Sequence, residues 1–204
     1  ATGPATQYEV TMKKVELCSD STCTTPITVG ERDMAADIAA AEAGATVGNY
    51  APTSGIPSGT YTHLRVTMNR TFTVTGTVAV GGGTCATDGG TDNTAAQLLD
   101  AGTGTATSTA MYLSNADTYG SDDGTGNDAG TCITLNYDNP KYATSITMSG
   151  DSVLIIYALT KPFTRLLKTP LIKLSFGTTA AVGAATIGDC IMWIEEPEVS
   201  ITIQ

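Results

Sequence analysis

The sequence predicts an all-β protein, a single β-sandwich of the immunoglobulin-like or jelly-roll-like kind with at most one or two short helices. Threonine occupies 37 of the 204 positions. Together with valine and isoleucine it suits a pleated, half-buried surface better than a helix, because branching at Cβ restricts χ1. The 22 glycines and 8 prolines cluster between short apolar runs, as turns require. A chain of this length, without a fixed-period repeat or a long linker, fits one domain over residues 1–204.

The first predicted elements are a long strand, a short hairpin turn and a return strand. Residues 7–17 alternate apolar and polar side chains until Lys13-Lys14 shifts the phase, where we expect a β-bulge or a change of partner. The return strand is predicted at residues 26–30. Before the shift, three apolar side chains share one face of the first strand: Tyr8, Val10 and Met12.

One helix and two further strands are predicted next. Residues 33–43 are rich in alanine, with Asp33 as a candidate N-cap and Gly44 as a candidate stop, and form the one helical candidate. A short covering turn is the alternative. Residues 61–68 and 72–80 alternate as half-buried strands do.

The composition changes at residue 81, where glycine, threonine, aspartate and alanine become dominant. We interpret residues 81–130 as a long loop-rich insertion in the sandwich. A second group of strands is predicted after it, at a spacing typical of a sandwich. These strands are expected at residues 131–137, 142–148, 152–159, 171–176, 190–194 and 199–203.

Ten basic residues against twenty acidic ones give a net charge of −10 at pH 7. This charge repels phosphate backbones and anionic membrane surfaces, so no nucleic-acid partner is expected. The longest apolar run, residues 153–159, has the length of a buried strand and is far shorter than the roughly 20 residues of a membrane span. We therefore expect no membrane insertion.

The five cysteines predict two disulfides. Cys18 and Cys23 enclose a short polar turn suited to a local bond, whereas Cys85 and Cys132 bracket the insertion. Closing the longer loop would contribute roughly 4 kcal/mol in the chain-entropy model, against roughly 2 kcal/mol for the shorter one. Cys190 is then expected to be a buried, inert thiol rather than an intersubunit bridge. Its pairing with Cys85 or Cys132 is the alternative.

The chain begins without methionine, at Ala1-Thr2-Gly3-Pro4. We interpret this start as the product of signal-peptide cleavage, although an arbitrary boundary of the chain would look the same. Together with the predicted disulfides, it indicates secretion to the extracellular space or the cell surface.

Two segments carry a resemblance to a known class of proteins. Residues 8–17, YEVTMKKVEL, and residues 56–66, IPSGTYTHLRV, resemble two strands that follow one another in secreted bacterial and archaeal β-sandwich surface domains. The Gly-x-Tyr turn before the second strand is similar to that of fimbrillin-type pilins. The resemblance covers the first third of the chain and implies a cell-surface sandwich, in some cases a pilus or filament subunit. It brings no catalytic residues.

The sequence offers no recognisable catalytic arrangement, and we expect the protein not to be an enzyme. The single histidine, His63, lies within a predicted strand, and there is no Gly-x-Ser-x-Gly elbow. Glu195, Glu196 and Glu198 flank Pro197. We interpret them as a solvated linker rather than as the paired carboxylates of a glycoside hydrolase.

Residues 117–128 combine oxygen-bearing side chains with glycines, as calcium requires to collect roughly six to eight oxygen ligands. The spacing does not match an EF-hand, and a plain loop is the alternative; calcium is the one cofactor considered. The candidate ligands are Asp117, Asp122, Asp123, Asn127 and Asp128, joined by Asp88 and Asp92 if the loops meet. Asn69 stands in an Asn-Arg-Thr pattern that matches a glycosylation acceptor.

Both ends of the chain are strand-like, and each is a candidate for donation to a neighbouring copy. Pro197 separates the strand at 190–194 from the last segment, 198–204. Inserted into a neighbour, that segment would add main-chain hydrogen bonds, and head-to-tail repetition would make a filament. Residues 1–12 are an equal candidate donor, and completion of the chain's own sheet is the alternative. In the last segment, three apolar side chains share one face: Val199, Ile201 and Ile203.

We therefore expect a structural subunit of an extracellular filament or pilus that polymerises head to tail by β-strand donation, with copies of itself as partners. The alternative is a monomeric cell-surface adhesin or carbohydrate-binding module, with glycan partners and an optional requirement for calcium. Its stacking side chains would be Tyr112, Tyr119 and Tyr137.

Overall fold

A computed structural model of the chain confirms the all-β class. It describes residues 1–40, 48–50, 55–87, 89, 96–99, 105–112, 143–165, 172–187 and 189–203, which include no helix and hence none that could cross a membrane. In chain order the strands are β1 (Thr2–Gly3), β2 (Ala5–Cys18), β3 (Ile27–Asp37), β4 (Gly48–Tyr50), β5 (Gly59–Asn69), β6 (Thr71–Val80), β7 (Gly83–Thr87), β8 (Ala96–Leu99), β9 (Thr109–Tyr112), β10 (Ser145–Ser149), β11 (Ser152–Arg165), β12 (Ile172–Gly177), β13 (Val182–Ile187), β14 (Asp189–Ile194) and β15 (Glu198–Ile203).

The strands form two antiparallel sheets around one core. The larger sheet has twelve strands in the order β1-β13-β14-β8-β7-β6-β2-β5-β11-β10, with β3 also paired to β2 and β9 to β6. The smaller sheet has the order β15-β12-β4. Leu64 on the larger sheet and Leu174 on the smaller one belong to the same buried apolar cluster. The predicted sandwich-like arrangement is confirmed.

Strand β2 is the central strand of the larger sheet. One of its edges pairs with β3, while the other pairs with β6 near its start and with β5 near its end. The pairing with both β3 and β5 shifts between Met12 and Lys14, so the predicted bulge is confirmed. Because Lys13 is the extra residue, Met12 and Val15 both point into the core, where each is fully buried.

Strands β5 and β6 lie along the same edge of β2 and meet at a bend. Cys18, at the end of β2, is opposite His63 on β5, and Ala5, at its start, is opposite Gly76 on β6. The chain therefore keeps one direction along this edge of β2 as it passes from β5 to β6. At the bend, the amide of Arg70 donates to Asp151 O at 3.1 Å. The strands predicted at 61–68 and 72–80 are thus confirmed.

The helix predicted at residues 33–43 is wrong. Residues 33–37 belong to β3 and pair with β2, and residues 38–40 form a turn. The Asp37 carboxylate accepts hydrogen bonds from the amides of Tyr8, at 2.9 Å, and Ala39, at 3.0 Å. Pairing along β2 therefore overrides the helix propensity of the alanines. Residues 41–43 lie outside the described residues.

The described parts of the segment 81–130 include three strands, β7, β8 and β9, and the loop-rich character of the segment stays a prediction. Strands β7 and β9 both pair with β6, and β8 joins β7 to β14. These three strands belong to the larger sheet because their backbone groups form hydrogen bonds with β6, with β14 and with one another. The remaining residues of the segment lie outside the description.

The second group of strands is largely confirmed. Strands β10, β11, β12, β14 and β15 match the predictions, although β11 continues to Arg165 past an irregularity between Ala158 and Phe163. The strand predicted at 131–137 lies outside the described residues. Strand β13 was not predicted, because its sequence, VGAATI, is poor in large apolar side chains.

The structure confirms one predicted disulfide and corrects the other. Cys18 is bonded to Cys23, with their Cα atoms 5.0 Å apart. Cys85 is bonded to Cys190, not to Cys132, with a Cα–Cα distance of 5.7 Å. The prediction that Cys190 is a free thiol is therefore wrong. Strand β14 places Cys190 close to Cys85 on β7, and this distance in space, not the position of Cys132 at the end of the insertion, determines which cysteines pair. Cys132 lies outside the described residues.

Candidate functional site

The C-terminal strand β15 forms an outer edge of the smaller sheet. It pairs antiparallel with β12 in a six-residue register, from Glu198 opposite Gly177 to Ile203 opposite Ile172. Among the described strands, β12 is its only pairing partner. One side of β15 therefore carries ladder hydrogen bonds to β12, and the main-chain groups of the other side face away from the sheet.

The side chains of β15 alternate between core and solvent. Val199 is buried, and Ile201 and Ile203 are half-buried against the common core, whereas Ser200 and Thr202 are exposed. The predicted apolar face is thus confirmed, but it packs on the chain's own core. The strand is held by one ladder of hydrogen bonds and one row of three apolar side chains.

A three-residue connection joins β14 to β15. The amide of Glu195 donates to Ala181 O at 2.9 Å, and Glu196 Oε1 accepts from the amide of Ala143 at 2.6 Å. Pro197 has no N–H, so it contributes no donor to either strand. The Tyr8 hydroxyl and the Trp193 indole also donate to Glu195, so the segment is anchored through Glu195 and Glu196, and Pro197 alone stands between these anchors and β15.

Glu196 is not part of a solvated linker, which corrects the sequence-based interpretation. Its side chain is 8% exposed, and its Oε2 atom has no hydrogen-bond partner among the described residues. Burial raises the pKa of Glu196 to about 7, and the hydrogen bond from Ala143 offsets this only in part. A carboxyl in these surroundings titrates near neutral pH instead of in acid.

Glu196 lines a small apolar cavity of about 30 Å³, room for about one water molecule. Burial and the nearby Glu196 raise the pKa of both Tyr8 and Tyr157, and the Tyr8 hydroxyl donates to Glu195 O at 3.1 Å. Around the cavity lie side chains from both sheets and from the β14–β15 connection, including Tyr8, Phe72, Tyr157, Phe176, Ile194 and Pro197.

One signal in the sequence was sufficient to place Glu196 inside. The inward-facing residues of β14 alternate as Cys190, Met192 and Ile194, all of them buried. Continuing this period of two past the end of β14 at Ile194 reaches Glu196, the residue before Pro197. The charge of Glu196 predicted a solvent-exposed side chain, whereas its position in this alternation predicted a buried one.

Residues 1–12 lie within the larger sheet of their own chain, and their donation to a neighbour stays a prediction. Tyr8, Val10 and Met12 are 2%, 3% and 0% exposed in the middle of the larger sheet. The amino terminus donates to Ala184 O at 3.0 Å. Donating this segment would open the centre of the chain's own core, whereas donating β15 would remove only an edge strand.

The outer face of the larger sheet carries a second feature, an open groove of about 500 Å³ beside the Cys18–Cys23 hairpin. His63 lies on this face of β5, where its Nδ1 is 2.8 Å from the Thr62 hydroxyl and burial lowers its pKa. The groove is lined by Ser21, Thr22, Arg65, Thr144, Ser145, Thr147, Leu154 and Ile156. Five of these eight residues carry a hydroxyl group.

The other predicted site residues are placed as follows. Asn69 ends β5 opposite Ser152, and Tyr112 ends β9 opposite Thr71. The described residues contain no cluster of three or more histidine, cysteine, aspartate or glutamate side chains that could hold a metal. Outside the described residues lie Asp88, Asp92, Asp117, Tyr119, Asp122, Asp123, Asn127, Asp128 and Tyr137.

Comparison of the chain with protein-family models, with curated sequences and with solved structures gave no match. The resemblance to pilin-type surface domains stays a prediction.

Proposed function

We propose that the protein is the structural subunit of an extracellular homopolymer, a filament or pilus, in which each subunit donates β15 to β12 of the next. The observation that carries this proposal is the attachment of β15: an edge strand with β12 as its one described partner, joined through Pro197. Two disulfides indicate an oxidising compartment, which supports secretion.

Exchange of β15 between copies would preserve its contacts. The same six-residue register and the same burial of Val199, Ile201 and Ile203 would form on the neighbour's β12. Because the contacts are equal, the free energies of the closed and exchanged forms differ mainly through the connection at residues 195–197 and the entropy of association. The donor and acceptor surfaces are different, so a head-to-tail exchange continues from copy to copy, whereas reciprocal exchange between two copies would close a dimer.

Cross-linking distinguishes exchange from closure within one chain. Ser175 and Ser200 face each other across β12 and β15, so Ser175→Cys and Ser200→Cys are introduced in separate chains, both with Cys132→Ser. After native mixing and oxidation, a disulfide joins the two variants only if β15 of one chain lies on β12 of the other. The matched control is Thr60→Cys with Thr164→Cys, a pair within the larger sheet whose hydroxyls are 3.1 Å apart.

The expected result is a covalent dimer for the mixed Ser175 and Ser200 variants, a ladder of multimers when both cysteines are in one chain, and no dimer for the mixed control. Equal dimer yields in test and control pairs, or no dimer in either, would overturn the exchange. Electron microscopy of the assembled protein and of a chain ending at Pro197 then shows whether filaments depend on β15.

A monomeric adhesin or carbohydrate-binding module is the second candidate, because the outer groove presents several hydroxyls and Arg65 toward solvent. Sugar hydroxyls form hydrogen bonds with such groups. A chain that stays monomeric in light scattering and binds a glycan array, with loss of binding in Thr147→Trp, would favour this function over the polymer.

A further inference from the structure

We infer that the protonation state of Glu196 controls the release of β15, so that the protonated carboxyl keeps the strand on its own β12 and the ionised carboxylate favours its transfer to a neighbour. This inference rests on the proposed exchange of β15. It assigns a role to a buried polar group that the exchange itself does not explain.

The geometry connects the carboxyl to the strand directly. Glu196 is separated from β15 only by Pro197, and its side chain is the deepest anchor of the connection between the two strands. One oxygen is held by the amide of Ala143 at 2.6 Å, the other is unpartnered among the described residues, and the residue lines the apolar cavity. Movement of the connection toward solvent would hydrate both oxygens.

The closed conformation disfavours the ionised form. An isolated carboxylate in apolar surroundings is costly unless its oxygens are hydrogen-bonded, and here one hydrogen bond serves two oxygens. Burial accordingly raises the pKa of Glu196 to about 7. The described residues that line the cavity include no lysine, arginine or histidine that could compensate this charge.

Of the titratable groups near Glu196, the two tyrosines stay neutral, whereas burial raises the pKa of Glu195 as well. Tyr8 on β2 and Tyr157 on β11 line the same cavity, and burial raises the pKa of both phenols, so they stay neutral throughout the relevant range. Glu195, next in the chain, has a pKa raised by burial and lowered in part by the Trp193 indole, which donates to it at 2.7 Å. Its carboxylate therefore has a partner that Glu196 Oε2 does not have.

The sign of the effect follows from linkage. A solvated glutamate loses its proton near pH 4.3, whereas the closed conformation retains it up to about pH 7. As the pH rises between these two values, the closed conformation loses stability relative to the released one. With a factor of about ten for each unit of pKa difference, the ratio of released to closed strand should rise on the order of 10- to 100-fold between about pH 5 and pH 8.

The test uses the mixed Ser175→Cys and Ser200→Cys chains. They are incubated at several pH values from about 5 to 8 and then oxidised briefly at one common pH, so that thiol reactivity is equal. Glu196→Gln keeps the shape and the acceptor for Ala143 but cannot ionise. Glu198→Gln, two residues further on, is the matched control that removes one carboxylate without changing the cavity. If Glu196→Gln does not fold, Glu196→Met replaces it.

We expect the initial rate of interchain cross-linking to rise about 10- to 100-fold with pH in the parent and in Glu198→Gln, and to stay low and flat in Glu196→Gln. If cross-linking occurs equally at all pH values, the exchange of β15 is supported, but the inference that Glu196 regulates it is wrong. If no cross-link forms at any pH, the proposed function fails. Amide hydrogen exchange of residues 198–203, corrected for its intrinsic pH dependence, then decides about Glu196: opening that rises with pH in the parent and not in Glu196→Gln supports the inference, and equal profiles overturn it.

Discussion

At the scale of single residues, a buried carboxylate with two cationic partners lies on the outer face of the larger sheet. Glu16, 3% exposed, accepts from Arg65 Nε at 2.7 Å and from Lys14 Nζ at 3.1 Å. Lys14 also lies 3.7 Å from Glu31, whose side chain is 68% exposed. The two acidic residues share one network but differ in burial, which makes them a matched pair for measurement.

We predict that Glu16→Gln lowers the free energy of unfolding by about 2 kcal/mol, because it removes two charge-assisted hydrogen bonds from a buried acceptor. For a chain of this size, that corresponds to a Tm lower by roughly 4 to 8 °C. Glu31→Gln should change the stability by less than about 0.5 kcal/mol, since exposed pairs contribute little. Calorimetry of both variants tests this, and equal effects of the two would contradict it.

The stability difference between the parent and Glu16→Gln should depend on pH, and its direction follows from the pKa of Glu16. Burial raises the pKa of Glu16, but the hydrogen bonds from Arg65 and Lys14 outweigh it, so the pKa lies below its usual value. The stability contributed by Glu16 is therefore present above about pH 4.3 and is lost as the pH falls through the folded-state pKa. The difference between parent and Glu16→Gln should shrink in acid.

At the scale of elements, the bulge in β2 decides which side chains face the core. Met12 is opposite Met68 and Lys14 is opposite Thr67, so Lys13 has no counterpart on β5. Deleting Lys13 would keep every pair of this ladder and leave Met12 and Val15 facing inward. Deleting Thr11 would also restore a regular alternation, but it would place Lys13 at the buried position of Met12.

We predict that the Lys13 deletion folds, with a Tm within a few degrees of the parent. The Thr11 deletion should lose at least about 3 kcal/mol, because it exposes a buried methionine and directs a lysine into the core. Circular dichroism and thermal melts of both deletions measure the difference. A Lys13 deletion as unstable as the Thr11 deletion would show that the bulge is itself required.

Alternation was sufficient to predict the strands with one buried face. β2, β5, β6 and β15 each repeat apolar side chains with a period of two, and even the bulge was visible as a break after Met12. The helix at 33–43 failed because alanine carries no periodic signal of its own, and pairing with β2 decided its conformation.

The candidate site was predicted only in part. The apolar face of β15 was visible in the sequence, but its partner β12 depends on contacts between distant segments. Strand β13 was missed because close packing, not hydrophobicity, defines it: a Cβ at Gly183 would meet the Trp193 indole. Glu196 was missed because its charge indicated solvent, whereas its register placed it inside.

At the scale of the whole molecule, one disulfide connects distant parts of the chain. Cys85 and Cys190 are 105 residues apart in sequence, and their bond joins β7 to β14 in the larger sheet. Cys18 and Cys23 are 5 residues apart and close only a hairpin. All four of these cysteines are buried, so replacing either pair with alanine removes a similar amount of buried side-chain contact. The two double variants therefore differ mainly in the length of the loop that the disulfide closes.

We predict that Cys85→Ala with Cys190→Ala lowers the stability more than Cys18→Ala with Cys23→Ala. In the chain-entropy model the longer loop contributes about 4.7 kcal/mol and the shorter about 2 kcal/mol. The difference corresponds to a Tm lower by roughly 5 to 10 °C for the first pair. Thermal melts of both double variants, each with Cys132→Ser to prevent new pairings, measure it. A larger loss from the hairpin pair would contradict the prediction, and would mean that the hairpin stabilises the outer face of β2, β5 and β11 by more than the constraint on its own loop.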